Sequence, residues 1–300
     1  MTIKISAYPK CFEYEIGLHH RMTVFDWIAM AKDHLDVEGL EMYDRFFTSL
    51  EHDYLVQVRE AINDAGFVIP MLICSPDFTQ PDPRDRRRAI EYQIKMIEVA
   101  SLLGGKGVVC RTLSGQQRPE VSHEQGVKWV VEAIQQVIPT ARKLEVVLGM
   151  ENHYKDSQWT RPEFALKAET FLEIVQSIDE RRSFGVQYDP SNAIVAGDDP
   201  IVLLEKVKDR VVSMHASDRH LKEGVTMEQF RKSDQIMGYS QYLSHGVIGK
   251  GLNDYDRIFS ILSEVDFNGW VSIEDGVNGL DEIKESLAFL KHMRSKYYRD

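Results

Sequence analysis

One pattern recurs along the chain and limits what it can become: a short β-rich run ending in polar residues, then an amphipathic helical run. The predicted strands are Ile3–Ala7, Gly39–Tyr43, Phe67–Cys74, Gly107–Cys110, Glu145–Met150, Phe184–Tyr188, Val211–His215 and Trp270–Glu274. The predicted helices lie between them. Thr23 caps Val24–His34, Gly66 ends a run over 51–65, and Gly104-Gly105 ends one over 84–103. Ser122 caps the next, Pro162 opens Glu163–Ile178, and Pro200–Lys208, Tyr255–Glu264 and Leu280–Lys296 follow. Strands separated by helices pair in parallel. Eight such units in 300 residues match a (β/α)8 barrel in count and length, read here as one catalytic domain over residues 1–300. A doubly wound open sheet would call for a glycine-rich phosphate turn after an early strand, and neither GxGxxG nor GxxxxGK[ST] occurs. Gly104-Gly105-Lys106-Gly107 follows a helix and precedes a strand, so it reads as a helix-ending turn. One connection is overlong, about residues 219–248, and is expected to form a functional loop or lid on the barrel mouth.

Charge and cysteine content narrow the function. A net charge of -11 argues against bulk nucleic-acid binding, because phosphates would be repelled. No apolar run reaches the length of a membrane span, and the first residues lack the apolar core of a secretory signal. Cys11, Cys74 and Cys110 form no CxxC pair, and an odd, sparse set fits a reducing cytoplasm.

Catalytic groups of a barrel sit at the C-terminal ends of its strands. The second strand ends near Glu41. The last four end in Glu151, Asp189, His215 and Glu274. Three carboxylates and an imidazole converging on one mouth would repel one another, and a divalent cation relieves that. Three oxygen donors and one nitrogen suit Mn²⁺, Mg²⁺, Co²⁺ or Fe²⁺, with Zn²⁺ also acceptable. One such ion per chain is expected. His153, two residues past Glu151, can face the same mouth and hold a substrate hydroxyl or move a proton. Tyr8, Tyr43, Phe78, Tyr154, Trp159 and Tyr188 supply aromatic faces suited to a sugar. Arg111 and Lys250 are the candidate cations for an anionic group or a hydroxyl, Lys250 between two glycines that let backbone approach a ligand.

Five segments carry a resemblance that runs over essentially the whole chain: Met150-Glu151-Asn152-His153, Tyr188-Asp189-Pro190-Ser191-Asn192, Met214-His215-Ala216-Ser217-Asp218, Gly249-Lys250-Gly251-Leu252-Asn253-Asp254-Tyr255 and Ser272-Ile273-Glu274-Asp275-Gly276. In this order they resemble the sugar phosphate isomerase/epimerase superfamily, the xylose-isomerase-like barrels that include ketose 3-epimerases, inosose dehydratases and endonuclease IV. The resemblance implies that Glu151, Asp189, His215 and Glu274 hold one divalent metal, often manganese, and that Glu151 and Glu274 double as acid and base. Glu-Asn-His also resembles members acting on 3-oxo-glycosides, including enzymes that cleave C-glycosides. Two departures stand out. Ketose epimerases place a His where this chain has Asn192, and an Arg where it has Leu221, with Arg219 and His220 near but out of register. Those epimerases' substrate contacts therefore do not carry over, and Asn192 becomes a substrate-contact candidate of this chain's own.

The expected chemistry is proton abstraction beside a polarised carbonyl. Return of the proton to the opposite face gives epimerisation, and return to the neighbouring carbon gives isomerisation. Loss of a β-substituent gives elimination. The first expectation is a keto-sugar isomerase or epimerase in the cytoplasm, alone, as a homo-oligomer or with a small accessory subunit. A lyase or dehydratase is the alternative, acting on a 3-oxo-glycoside or an inosose. A nuclease is the distant third.

Overall fold

The computed structural model describes residues 2–232 and 241–298. Its strands are β1 (Lys4–Ala7), β2 (Gly39–Leu40), β3 (Met42–Tyr43), β4 (Met71–Ile73), β5 (Val109–Thr112), β6 (Val147–Glu151), β7 (Phe184–Tyr188), β8 (Val211–Ala216), β9 (Arg219–Leu221), β10 (Leu243–His245) and β11 (Trp270–Ile273). Nine of them form one sheet in the order β2-β1-β11-β8-β7-β6-β5-β4-β3, and all its pairings are parallel. The two ends of that order, β2 and β3, are pieces of one strand interrupted only at Glu41. The sheet therefore curls into a nearly closed barrel, with Gly39 bridging to Val68 beside the seam. Eight predicted strands become nine because the second is split.

The helices are α1 (Glu13–Gly17), α2 (Val24–His34), α3 (His52–Ala65), α4 (Pro83–Gly104), α5 (His123–Leu144), α6 (Ala168–Gln176), α7 (Pro190–Ala196), α8 (Pro200–Val207), α9 (Met227–Lys232), α10 (Tyr255–Glu264) and α11 (Leu280–Tyr297). Local chemistry sets their ends. Thr23 Oγ1 accepts from Asp26 N while Asp26 Oδ2 accepts from Thr23 N, a reciprocal cap that starts α2. Gly66 closes α3 at φ +87°, a left-handed turn that glycine adopts without strain. Apolar faces of these helices and of the strands meet in one large cluster around Trp27, Phe171, Phe184 and Phe259.

The sequence places several boundaries differently. The predicted start of the fifth strand, Glu145, instead adopts φ +54° and caps α5, so β6 begins at Val147. The third strand is shortened to Met71–Ile73, because Pro70 has no N–H to give a ladder. The helix expected from Glu163 begins only at Ala168. Glu163 is bridged to Gln116 instead, and its carboxylate is drawn inward by Ser114. The 219–248 segment contains the antiparallel hairpin β9–β10 and α9. Residues 233–240 of that expected loop lie outside the described residues. Among the described residues no helix is long and apolar enough to cross a membrane.

Candidate metal centre

Four barrel elements deliver the cluster. Glu151 ends β6, Asp189 follows β7 and caps α7, His215 lies in β8, and Glu274 follows β11. One ligand atom from each lies within 4.8 Å of the others. Parallel neighbours in one curled sheet end on the same rim, which is why residues 123 positions apart meet.

Each glutamate has a divided role. Glu151 Oε1 lies 3.1 Å from His215 Nδ1, while Oε2 accepts from Arg111 at 2.8 Å. Glu274 Oε2 lies 3.4 Å from the same Nδ1, while Oε1 accepts from Lys10 at 3.0 Å. Asp189 Oδ1 accepts from Ser217 Oγ and from the Asn192 amide N–H, both at 2.9 Å. The far nitrogen of His215, Nε2, lies 2.7 Å from Glu41 Oε1, a residue 1% exposed. Nδ1 is the nitrogen that faces the cluster, and Glu41 together with the Gln187 side-chain amide, 2.8 Å from Nε2, holds the far side of the ring.

The electrostatics call for positive charge at the centre. Burial pushes the Asp189 carboxyl up, and the negative charges of Glu274 and Glu151 add to that, to about 7. Burial would lower His215, but Glu41, Glu274 and Glu151 outweigh it and raise the imidazole well above its ordinary value. Burial would also raise Glu151, yet His153, Arg111 and His215 hold it down at about 2. Lys10 and His215 overcome the same burial effect at Glu274 and keep it well below the usual carboxylate range. Buried acids crowded around one imidazole nitrogen, three oxygen donors and one nitrogen, fit a divalent cation.

A cavity of about 500 Å³ opens over the cluster. Tyr8, Lys10, Tyr43, Arg111, His153, Tyr154, Asn192, Arg219, His245 and Glu274 are in its wall. Of the residues singled out from sequence, Tyr8, Tyr43, Arg111, His153, Tyr154 and Asn192 are thus brought to the cavity beside the cluster. Asn192 also donates to Glu151 Oε1 at 3.2 Å. His153 Nδ1 lies 3.3 Å from Glu163 Oε2, and Ser114 N and Oγ hold the other oxygen of Glu163 at 2.8 and 2.9 Å. Lys250 is not in this wall. Its ammonium pairs with Glu285, and it lines an adjoining groove with His220 and His245. Trp159 is buried and does not line the cavity; its backbone N–H closes a turn onto Asp156.

Sequence reading gave no role to Glu41, Lys10, Ser217 or Asp156. A lone acid breaking an apolar strand was the available signal for Glu41. Lys10, three residues beyond the end of β1, was within reach of the strand-end rule. Asp156 accepts from Ser75 Oγ at 2.5 Å and faces Arg111 at 3.5 Å, a loop-to-loop pairing that no local pattern announces.

Comparison with known proteins agrees with this fold. The inosose dehydratase of Geobacillus kaustophilus (strain HTA426) is 30% identical over 129 residues, 42% of this chain and 39% of that protein. The chain spans about a third of the length of the curated relatives it matches. Among solved structures, a D-tagatose 3-epimerase-like protein superposes with TM-score 0.74 at 17% identity, covering 98% of both chains. The IOLI protein with a binding zinc atom gives TM-score 0.74 at 17% identity, over 99% of this chain and 100% of that one. At such identity the likeness is one of fold. The family described as xylose isomerase-like TIM barrel matches residues 28–293. With the barrel and its strand-end cluster both in place, the chain belongs to the xylose isomerase-like TIM barrel family.

Proposed function

We propose that the protein is a divalent-metal-dependent enzyme that moves a proton beside the carbonyl of a keto sugar, as an isomerase or epimerase. The observation that carries this reading is the convergence of Glu151, Asp189, His215 and Glu274 beneath one cavity. A divalent cation held by these four residues would supply a fixed positive charge that polarises a carbonyl and acidifies the neighbouring C–H. Manganese is our first choice, with zinc, magnesium, cobalt and iron as alternatives for the same donor set.

The chain's own groups account for the proton. Glu151 and Glu274 are held ionised at neutral pH, so each can accept a proton from carbon. Arg111 and Lys10 fix one oxygen of each, leaving the other directed at the cluster. Removal of the proton by one glutamate leaves an enediolate, and a proton returned to the opposite face by the other glutamate, once it has taken one up from solvent, gives the epimer. His153 borders the same space and is placed to hold a hydroxyl or pass a proton. Buried walls of Tyr8 and Tyr43 exclude water from one side.

A second reading is favoured by the curated relatives, whose names are inosose dehydratase. In it the same glutamate removes the proton, and a β-substituent departs instead of a proton returning. The substrate would be an inosose or a 3-oxo-glycoside. Incubation of metal-reconstituted protein in deuterated water with ketoses, inososes and 3-oxo-glucosides tests both. Deuterium wash-in beside the carbonyl without loss of mass supports the epimerase. Wash-in or proton loss coupled to a departing group supports the lyase. No exchange on any member of the panel would contradict both.

A further inference from the structure

The chemistry above leaves one buried charge without a task. In the β9–β10 hairpin Arg219 lies directly opposite His245. Opposed residues on an antiparallel ladder share a face, and both side chains line the cavity over the cluster. His220, the next residue, points away and lines the adjoining groove. Arg219 is 7% exposed. Its Nε has no hydrogen-bond partner, and among the described residues no carboxylate pairs with its guanidinium.

Of the other cations of the wall, Arg111 and Lys10 are engaged and Lys155 is only half-buried. Arg111 serves Glu151 and Asp156. Lys10 sits between Glu274 at 3.0 Å and Glu13 at 3.2 Å. Arginine stays charged at every ordinary pH; the charge of Arg219 acts on the buried Asp275 carboxyl, opposing the rise that burial causes, but its Nε–H has no hydrogen-bond partner and stays open to a ligand. His245 is fixed beside it, its Nδ1 2.8 Å from Oδ1 of the buried Asp275. The cavity lies in the range of small-ligand sites, roughly 300–1,000 Å³, so a substituent on the sugar has room at this end.

We propose that Arg219 is the receptor for an anionic substituent of the substrate, so that the enzyme takes a keto sugar carrying a carboxylate or a phosphate. This rests on the keto-sugar reading and narrows it. The guanidinium fork matches two oxygens of either group.

Titration calorimetry on the metal-reconstituted protein tests it with three ketoses of the same length: D-fructuronate, D-fructose 6-phosphate and D-fructose. At least one of the two acids is expected to bind ~10-fold or more tighter than fructose, the weight of one charge-assisted contact. Whichever acid wins assigns the group as carboxylate or phosphate. Arg219→Gln should erase the preference while leaving fructose affinity and the melting temperature close to wild type, and Arg219→Lys should restore part of it. Equal affinity for all three ketoses overturns the proposal, as does failure of both acids to bind, or a preference that survives in Arg219→Gln. The keto-sugar reading is tested separately by proton exchange. Exchange on fructose with no acid preference overturns only the anion receptor. Acid binding that depends on Arg219, with no exchange on any ketose, supports the receptor and contradicts the keto-sugar reading.

Discussion

At the scale of single residues, Glu151 and Glu274 each point one oxygen towards His215 Nδ1 and give the other to a cation. Glutamine keeps one oxygen for a metal but cannot accept a proton at neutral pH. Glu151→Gln and Glu274→Gln should therefore each lower turnover by ~10²-fold or more, the usual weight of a general base, while retaining part of the bound metal. Steady-state assay on an exchanging substrate, beside metal analysis of the same samples, checks both halves. Glu41 works one step further out. Glu41→Gln removes the negative charge beside His215 Nε2 and should weaken metal binding by ~10–100-fold, measured by competition with a chelator of known affinity. The four strand-end residues were legible because each lies where a strand stops. Glu41, Lys10 and Ser217 were not assigned, because their roles exist only through partners that lie 174, 264 and 28 positions away.

At the scale of elements, β7 leaves no room for a side chain at Gly185. A Cβ on Gly185 would lie 2.3 Å from Val212 Cγ1 and 2.6 Å from the Arg210 carbonyl oxygen. The carbonyl is backbone and cannot rotate away, so Gly185→Ala should destabilise the fold by ~1–3 kcal/mol, seen as a lower urea midpoint at unchanged slope. Because Asp189 follows β7 directly, the same variant should also bind metal more weakly. The alternation of strand and helix made the barrel legible, and capping residues such as Thr23 and Gly66 made helix ends legible. The hairpin β9–β10 was not. Arg219-His220-Leu221 and Leu243-Ser244-His245 have no β-branched residue, and they pair across a long connection. Glu163 misled for the opposite reason. Pro162 is a good helix opener locally, but Ser114 and His153 capture the Glu163 side chain and delay the helix by five residues.

At the scale of the whole molecule, the cluster should couple metal to stability. A ligand that binds only the folded state adds RT ln(1 + [L]/Kd), about 2.7 kcal/mol at a hundredfold excess over Kd. Chelation should lower the melting temperature by several degrees and restoring the cation should return it, whereas Asp189→Asn should blunt that response. The net charge of -11 leads us to expect no retention of duplex DNA at low salt in a filter-binding assay, with binding there reviving the nuclease reading. The most direct test of the centre is its stoichiometry. Protein stripped with chelator, reconstituted with Mn²⁺ or Zn²⁺ and desalted should carry about one ion per chain by elemental analysis. A Glu151→Gln/Glu274→Gln double variant, shown to be folded by its circular dichroism, should carry far less. An ion content near zero in the wild type, or equal content in the double variant, would contradict a metal centre built from these four residues.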